Sequence, residues 1–182
     1  DEHATYIQKP IVGALGVNVK KIKGSEIDEL MKYNDNILVQ DLLYDCIFKN
    51  ARHFRYVTLY NGERFVLWEL FMAKKQSIAS NLGNGGDIKL CPDFKCDINA
   101  ISQFRIEDMM QKLAQLHEDN YSKILAIGWD IMLHCDEEKV ISYCLEGNIF
   151  AMIWPNTIQE KDNKIIQDYL KIADKFYKAN NL

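Results

Sequence analysis

HFRYVTLYNGERFVLWEL, from His53 to Leu70, is the stretch on which the fold turns. Two β-rich runs flank Asn61-Gly62, the pair that most readily supplies positive φ at both centres of a two-residue turn, so the spacing predicts a β-hairpin over about 53–71. With Tyr60 across from Glu63, Arg55 falls opposite Trp68 and Tyr56 opposite Leu67, within cross-strand reach. One face then carries Phe54, Tyr56, Tyr60, Phe65 and Leu67, the other Val57, Leu59, Val66, Trp68 and Leu70. Neither face is polar, so the ribbon needs cover on both sides.

A second hairpin is expected over about 139–154, with strands Val140 to Leu145 and Ile149 to Ile153 turning at Glu146-Gly147-Asn148. Its faces are again apolar on both sides. Centring the turn on either dipeptide slips the pairing by two residues and leaves the faces unchanged.

Around the ribbons the periodicity predicts helices. Ser25 after Gly24, followed by acids at Glu26 and Asp28, marks a helix start with Leu30 and Met31 on its apolar side. A core-facing helix from Asp35 or Asn36 follows from Leu38, Val39, Leu42, Leu43, Cys46 and Ile47 at three- and four-residue intervals. Glu107 to His117 places Met109, Met110, Leu113 and Leu116 on one side. A long C-terminal helix opens at the Thr157-x-x-Glu160 capping box, with Ile165, Tyr169, Ile172 and Phe176 in one row and Ile166, Leu170, Ala173 and Tyr177 beside it. Ile11 to Val19 reads equally as a strand or a turn-rich arm. Ile124 to Leu133 reads equally as buried helix or strand.

The expected class is therefore α+β: a mainly antiparallel sheet built from two hairpins, packed with four or five helices, in a single domain over residues 1–182. The two-faced ribbons need helices or a second copy of the chain against them, which motivates a homodimer.

Composition narrows the function. With 182 residues, 48% hydrophobic and 26% charged, the chain has material for an ordinary core. A net charge of −4 argues against general affinity for phosphate backbones. Arg occurs only at 52, 55, 64 and 105, and the abundance of Lys, Ile and Asn points to an AT-rich genome. The five cysteines lack the dense spacing of a disulfide-stapled scaffold, so reduced thiols and a cytoplasmic location are expected. No signal peptide or membrane span is read, since the longest apolar run, Ile124 to Leu133, is interrupted by Gly128 and Asp130.

Several constellations are weighed for chemistry. Lys20, Lys21, Lys23, Arg52, Arg55, Arg64, Lys74 and Lys75, interleaved with Phe54, Tyr56 and Trp68, would form a nucleic-acid surface in which aromatics stack bases and cations meet phosphate. The plainer reading is a solvated Lys cluster with Arg55 lying over Trp68. Cys91, Cys96, His134 and Cys135 are soft ligands for zinc, but their spacing matches no common zinc motif, and buried free thiols are ordinary. The loop containing Gly83 to Gly86 lacks the Gly-Lys-Ser/Thr of a phosphate-binding loop and reads as a surface loop. Asp41 and Asp45 lie one helical turn apart, yet Asp45 also precedes Lys49 in the order of an exposed ion pair. Asp136, Glu137 and Glu138 read as a charged turn. No nucleophile elbow or His-Glu-x-x-His occurs, although His53, His117 and His134 are available to an assembled site. His117, near a helix end, suits the negative terminus.

The leading expectation is a small non-catalytic bacterial binding or interaction protein, homodimeric and without a cofactor. The alternatives are nucleic-acid binding through the first hairpin, and a hydrolase or transferase site assembled from dispersed His, Asp and Cys residues.

Overall fold

The computed structural model describes residues 1–11, 18–33, 36–43, 52–60, 64–72, 87–90, 100–136, 139–149 and 163–181; the side chains of 52, 64–72, 87–90, 100–104, 135–136 and 163–166 lie outside that description. Backbone proximity divides the chain into two compact units, Asp1–His53 with Phe71–Ile88, and Phe54–Leu70 with Lys89–Leu182.

The first unit contains a three-stranded antiparallel sheet, β1 (Thr5–Pro10), β2 (Lys20–Lys23) and β3 (Ile37–Asp41), in the order β2-β1-β3. Ile22 on β2 is its buried apolar residue among those described. A 3-10 turn at Gly24–Glu26 leads into α1 (Ile27–Tyr33). Glu26, rather than the expected Ser25, carries the cap: the Lys23 N–H donates to Glu26 Oε2 at 2.6 Å.

The helix expected from Asp35 or Asn36 is a strand instead. Ile37 and Val39 are half-buried while Leu38 between them is exposed, a period of two, and the segment completes its backbone hydrogen bonds by pairing Ile37 to Asp41 against Pro10 to Tyr6. Residues 44–50, and with them Asp45, Cys46 and Ile47, lie outside the described residues.

The other sheet has the order β6-β5-β4-β7-β8, with β4 (Arg52–Leu59), β5 (Arg64–Met72), β6 (Asp87–Leu90), β7 (Ala126–Asp136) and β8 (Lys139–Asn148). β4 pairs antiparallel with β7, and β7 with β8. The strands of the first expected hairpin are thus neighbours. The second hairpin is displaced: β8 runs straight through Glu146-Gly147-Asn148, and its partner is β7, joined through residues 137 and 138. The Ile124 to Leu133 run is accordingly a strand, while residues 150–162, including the expected Ile149-to-Ile153 partner strand and Thr157, fall largely outside the described residues.

One sheet with four or five helices is therefore corrected to two sheets and, among the described residues, three α-helices: α1, α2 (Ala100–Asn120) and α3 (Asn163–Ala179). The α+β class holds.

Both faces of β4 and β7 are covered from within the chain. Phe54, Tyr56 and Thr58 share a side with Trp129, Ile131 and Ile127, and α2 lies there, burying Ile106, Met110, Leu113, Ala114 and His117. On the opposite side Val57, Leu59 and Ala126 form an apolar cluster with Leu125 and with Tyr169 and Ile172 of α3. Phe176 seals this side, its ring edge-on to Tyr60 at 5.1 Å. Helices thus supply the cover that the two-faced composition of β4 demands.

Candidate functional site

Asp130 sits in the middle of β7 with 4% of its surface exposed, amid Ile127, Trp129, Ile131 and Met132. A carboxylate so placed must be paired. Its partner is Arg55, directly opposite on β4: Nε donates to Oδ1 and an Nη to Oδ2, both at 2.8 Å. This two-pronged geometry matches the guanidinium fork to both carboxylate oxygens.

On the other flank Asp130 stands opposite Glu146 of β8, so Arg55, Asp130 and Glu146 line up across three strands on one side of the sheet. Asn148, two residues beyond Glu146 on the same side, donates from Nδ2 to Glu146 Oε1 at 3.3 Å. The ladder shifts just past this point, since Asp130 pairs with Glu146 but Ile131 with Cys144, making Leu145 an extra residue in β8. Cys144 lies beside the two acids, its Sγ–H directed to the Glu146 carbonyl at 3.7 Å. Burial, and then the negative charges of Asp130 and Glu146, push its thiol up to about 11. At neutral pH it is a thiol rather than a thiolate, and so not an activated nucleophile.

Behind the face lies a second polar group, inside the α2 layer. Trp129 Nε1–H donates to Thr58 Oγ1 at 2.7 Å, Thr58 Oγ1 lies 2.7 Å from His117 Nδ1, and His117 Nε2 lies 2.9 Å from the Ile124 carbonyl. Burial lowers the His117 pKa, opposed by the main chain at Ile124 and Tyr121. His117 stands in the last turn of α2, as expected near a helix end, and its ring turns inward toward Thr58 and the main chain at Ile124 and Tyr121.

The expected site residues divide as follows. Lys20, Lys21 and Lys23 come together on β2 in the first unit. Arg55 belongs to the second unit, where its guanidinium pairs with Asp130; the side chain of Trp68 lies outside the described residues. Arg52 and Arg64 open β4 and β5 with their side chains outside the description, as do Lys74 and Lys75 entirely. Of the zinc candidates, Cys91 and Cys96 fall outside the described residues, as does the side chain of Cys135; His134 packs edge-on to Tyr143 at 6.1 Å. Among the described residues no three His, Cys, Asp or Glu side chains are grouped to hold a metal ion. The Gly83-to-Gly86 loop is outside the described residues, and no described helix is long and apolar enough to cross a membrane.

Sequence reasoning missed Asp130 and Glu146. A signal existed for the first: one acid within the apolar run Ile124 to Leu133 is costly to bury alone, and so announces a cationic partner. No protein-family model matches the chain, and no curated protein matches it.

Proposed function

We propose that the chain is a binding protein that takes a small polar ligand on the charged sheet face of Arg55, Asp130, Glu146 and Asn148. The observation that carries the reading is the Arg55–Asp130 pair itself, with Glu146 aligned beside it. A buried ion pair contributes little stability over well-packed apolar residues of the same volume, so stability alone does not account for three aligned charges in an apolar sheet. Perturbed or paired charges of this kind concentrate at functional sites. Glu146 is exposed and Asn148 half-buried, and a carboxylate beside a carboxamide suits a ligand rich in hydrogen-bond donors, such as an amine or a polyol.

The test is a thermal-shift screen of amines, amino acids, polyols and divalent cations, with hits repeated on Glu146→Gln and Asn148→Ala. Hits that lose their shift in both variants support the reading; hits indifferent to both overturn it. Turnover of a hit, abolished by Glu146→Gln, would favour the transferase or hydrolase alternative at the same face. The nucleic-acid alternative is weakened by the engagement of Arg55 with Asp130.

A cytoplasmic, bacterial homodimer belongs to the same proposal. Its support is β8, a ten-residue strand at the end of the sheet order whose Tyr143 and Cys144 are exposed. Sedimentation at micromolar concentration should give a dimer, and a lone monomer would remove that part.

A further inference from the structure

The buried polar chain behind the charged face has a direction. The Ile124 carbonyl can only accept, so the ring proton of His117 sits on Nε2 and Nδ1 is left as an acceptor. Nδ1 therefore receives the Thr58 hydroxyl proton, and the Thr58 oxygen receives the Trp129 N–H. The indole N–H, the Thr58 hydroxyl and the ring N–H each find an acceptor, and only the neutral ring allows all three. His117 and Thr58 are 0% exposed and Trp129 6%, so water does not substitute for a lost partner.

The far end of this chain reaches the strand that carries the charged face from its other side. Gly147 lies directly across from Trp129, and a Cβ on it would meet the indole at 2.7 and 2.9 Å. The indole thus packs against the backbone of Gly147, whose neighbours in sequence are Glu146 and Asn148. The ladder pairs those two residues with Asp130 and Gly128, and the indole sets how closely the backbone between them can approach β7.

We propose that the Trp129–Thr58–His117–Ile124 chain is an acid-sensitive latch that seats the indole against Gly147 and so holds Glu146 and Asn148 in line with Asp130. The proposal rests on the binding reading for its purpose, but not for its mechanism. Protonation of His117 makes Nδ1 a donor to the Thr58 oxygen, so the buried Thr58 hydroxyl proton loses its acceptor, and the oxygen that fixes the indole N–H must now take a second, charged donor beside it. The groups facing the ring are Thr58 of β4 and the main chain at Ile124 and Tyr121; Glu118 and Asp119, next along α2, are exposed, and Arg55 and Asp130 point from the other side of the sheet. Because burial lowers its pKa, His117 in the folded protein takes up its proton only at lower pH than an ordinary histidine. An unfolded chain takes up the proton first, near pH ~6.5, so the stability that the neutral ring contributes is full above that value and is lost as pH falls to the lower folded pKa, where the latch itself opens.

NMR on the ligand-free wild type tests this without reference to binding. We expect His117 to show the Nε2–H tautomer at pH 7.5 and to titrate below the ordinary histidine value. The Trp129 indole proton should lose protection from exchange by about tenfold or more once the ring is charged, a change equivalent to about 1.4 kcal/mol. The side-chain amide of Asn148 should shift with the same midpoint. Thr58→Ser should preserve all three signatures, whereas Thr58→Val should remove the indole protection at every pH. Should Thr58→Val fail to fold, His117→Gln, a neutral amide, is expected to abolish the pH step alone. A ring that titrates at or above the ordinary value, or an Asn148 amide that stays still while His117 titrates, overturns the latch. Failure of the ligand screen leaves these signals in place and counts against the binding reading alone.

Discussion

Gly147 and Trp129 face each other across the β7–β8 pair, and the indole occupies the space that any side chain at 147 would need. The glycine is a strand residue here, selected by the ring opposite it, although its flanking residues resemble a turn. Gly147→Ala places its methyl group 2.7 Å from Trp129 Cζ3 and 3.5 Å from Ile127 Cγ2, so the indole must move. Overpacking of this kind costs about 1–3 kcal/mol. Urea denaturation should show that loss, and Trp129→Leu in the Gly147→Ala background should recover part of it.

The Arg55–Asp130 pair should behave as a buried ion pair. The side chains are 17% and 5% exposed, so removing one charge takes from a largely buried group its two-pronged partner. Arg55→Met is expected to cost about 3 kcal/mol, at the lower end for a buried pair because Arg55 keeps some contact with solvent. The double variant Arg55→Met with Asp130→Leu should be close to neutral. A double-mutant cycle by chemical denaturation measures the coupling, and equal costs for single and double variants would contradict the assignment.

Phe176 anchors α3 in the second unit. It is 5% exposed and meets Tyr60 and Tyr177 edge-on at 5.1 and 5.7 Å. Phe176→Ala should cost about 3–5 kcal/mol as a large buried truncation. Tyr177→Ala should cost far less, because Tyr177 is 48% exposed. Thermal unfolding of the two variants side by side decides the ranking.

Cys144 is exposed yet should alkylate slowly at neutral pH. With its thiol pushed up to about 11, its rate should climb with pH and level off only near that value. Glu146→Gln removes one of the two negative charges that raise it, and so should move the plateau to lower pH. Mass-mapped iodoacetamide labelling follows Cys144 apart from the other four cysteines.

Legibility in the sequence varied with the kind of signal. The first ribbon was readable because Asn61-Gly62 and its β-branched and aromatic flanks agree with one another, and β4 and β5 are neighbours in the sheet. The α2 and α3 segments were readable because apolar residues recur with helical spacing over several turns. Ile37 to Asp41 misled because a short apolar run fits helix and strand alike, and its pairing with β1 decided the matter. Glu146-Gly147-Asn148 misled for a different reason. A glycine beside Asn satisfies a turn and equally satisfies a strand that must yield room to a ring on its neighbour, and the neighbour is not visible in the local sequence.

By itself the amino-acid order determined the α+β class, the two-sided greasiness of the ribbon from His53 to Leu70, and the presence of a lone acid within an apolar run. Only the tertiary structure decided that this acid, Asp130, lies across from Arg55, 75 residues away, and beside Glu146 on the next strand. Local periodicity reports which side of an element is buried. Which side chains then meet is set by strand order and register, and these follow from the packing of the second unit's sheet between α2 and α3.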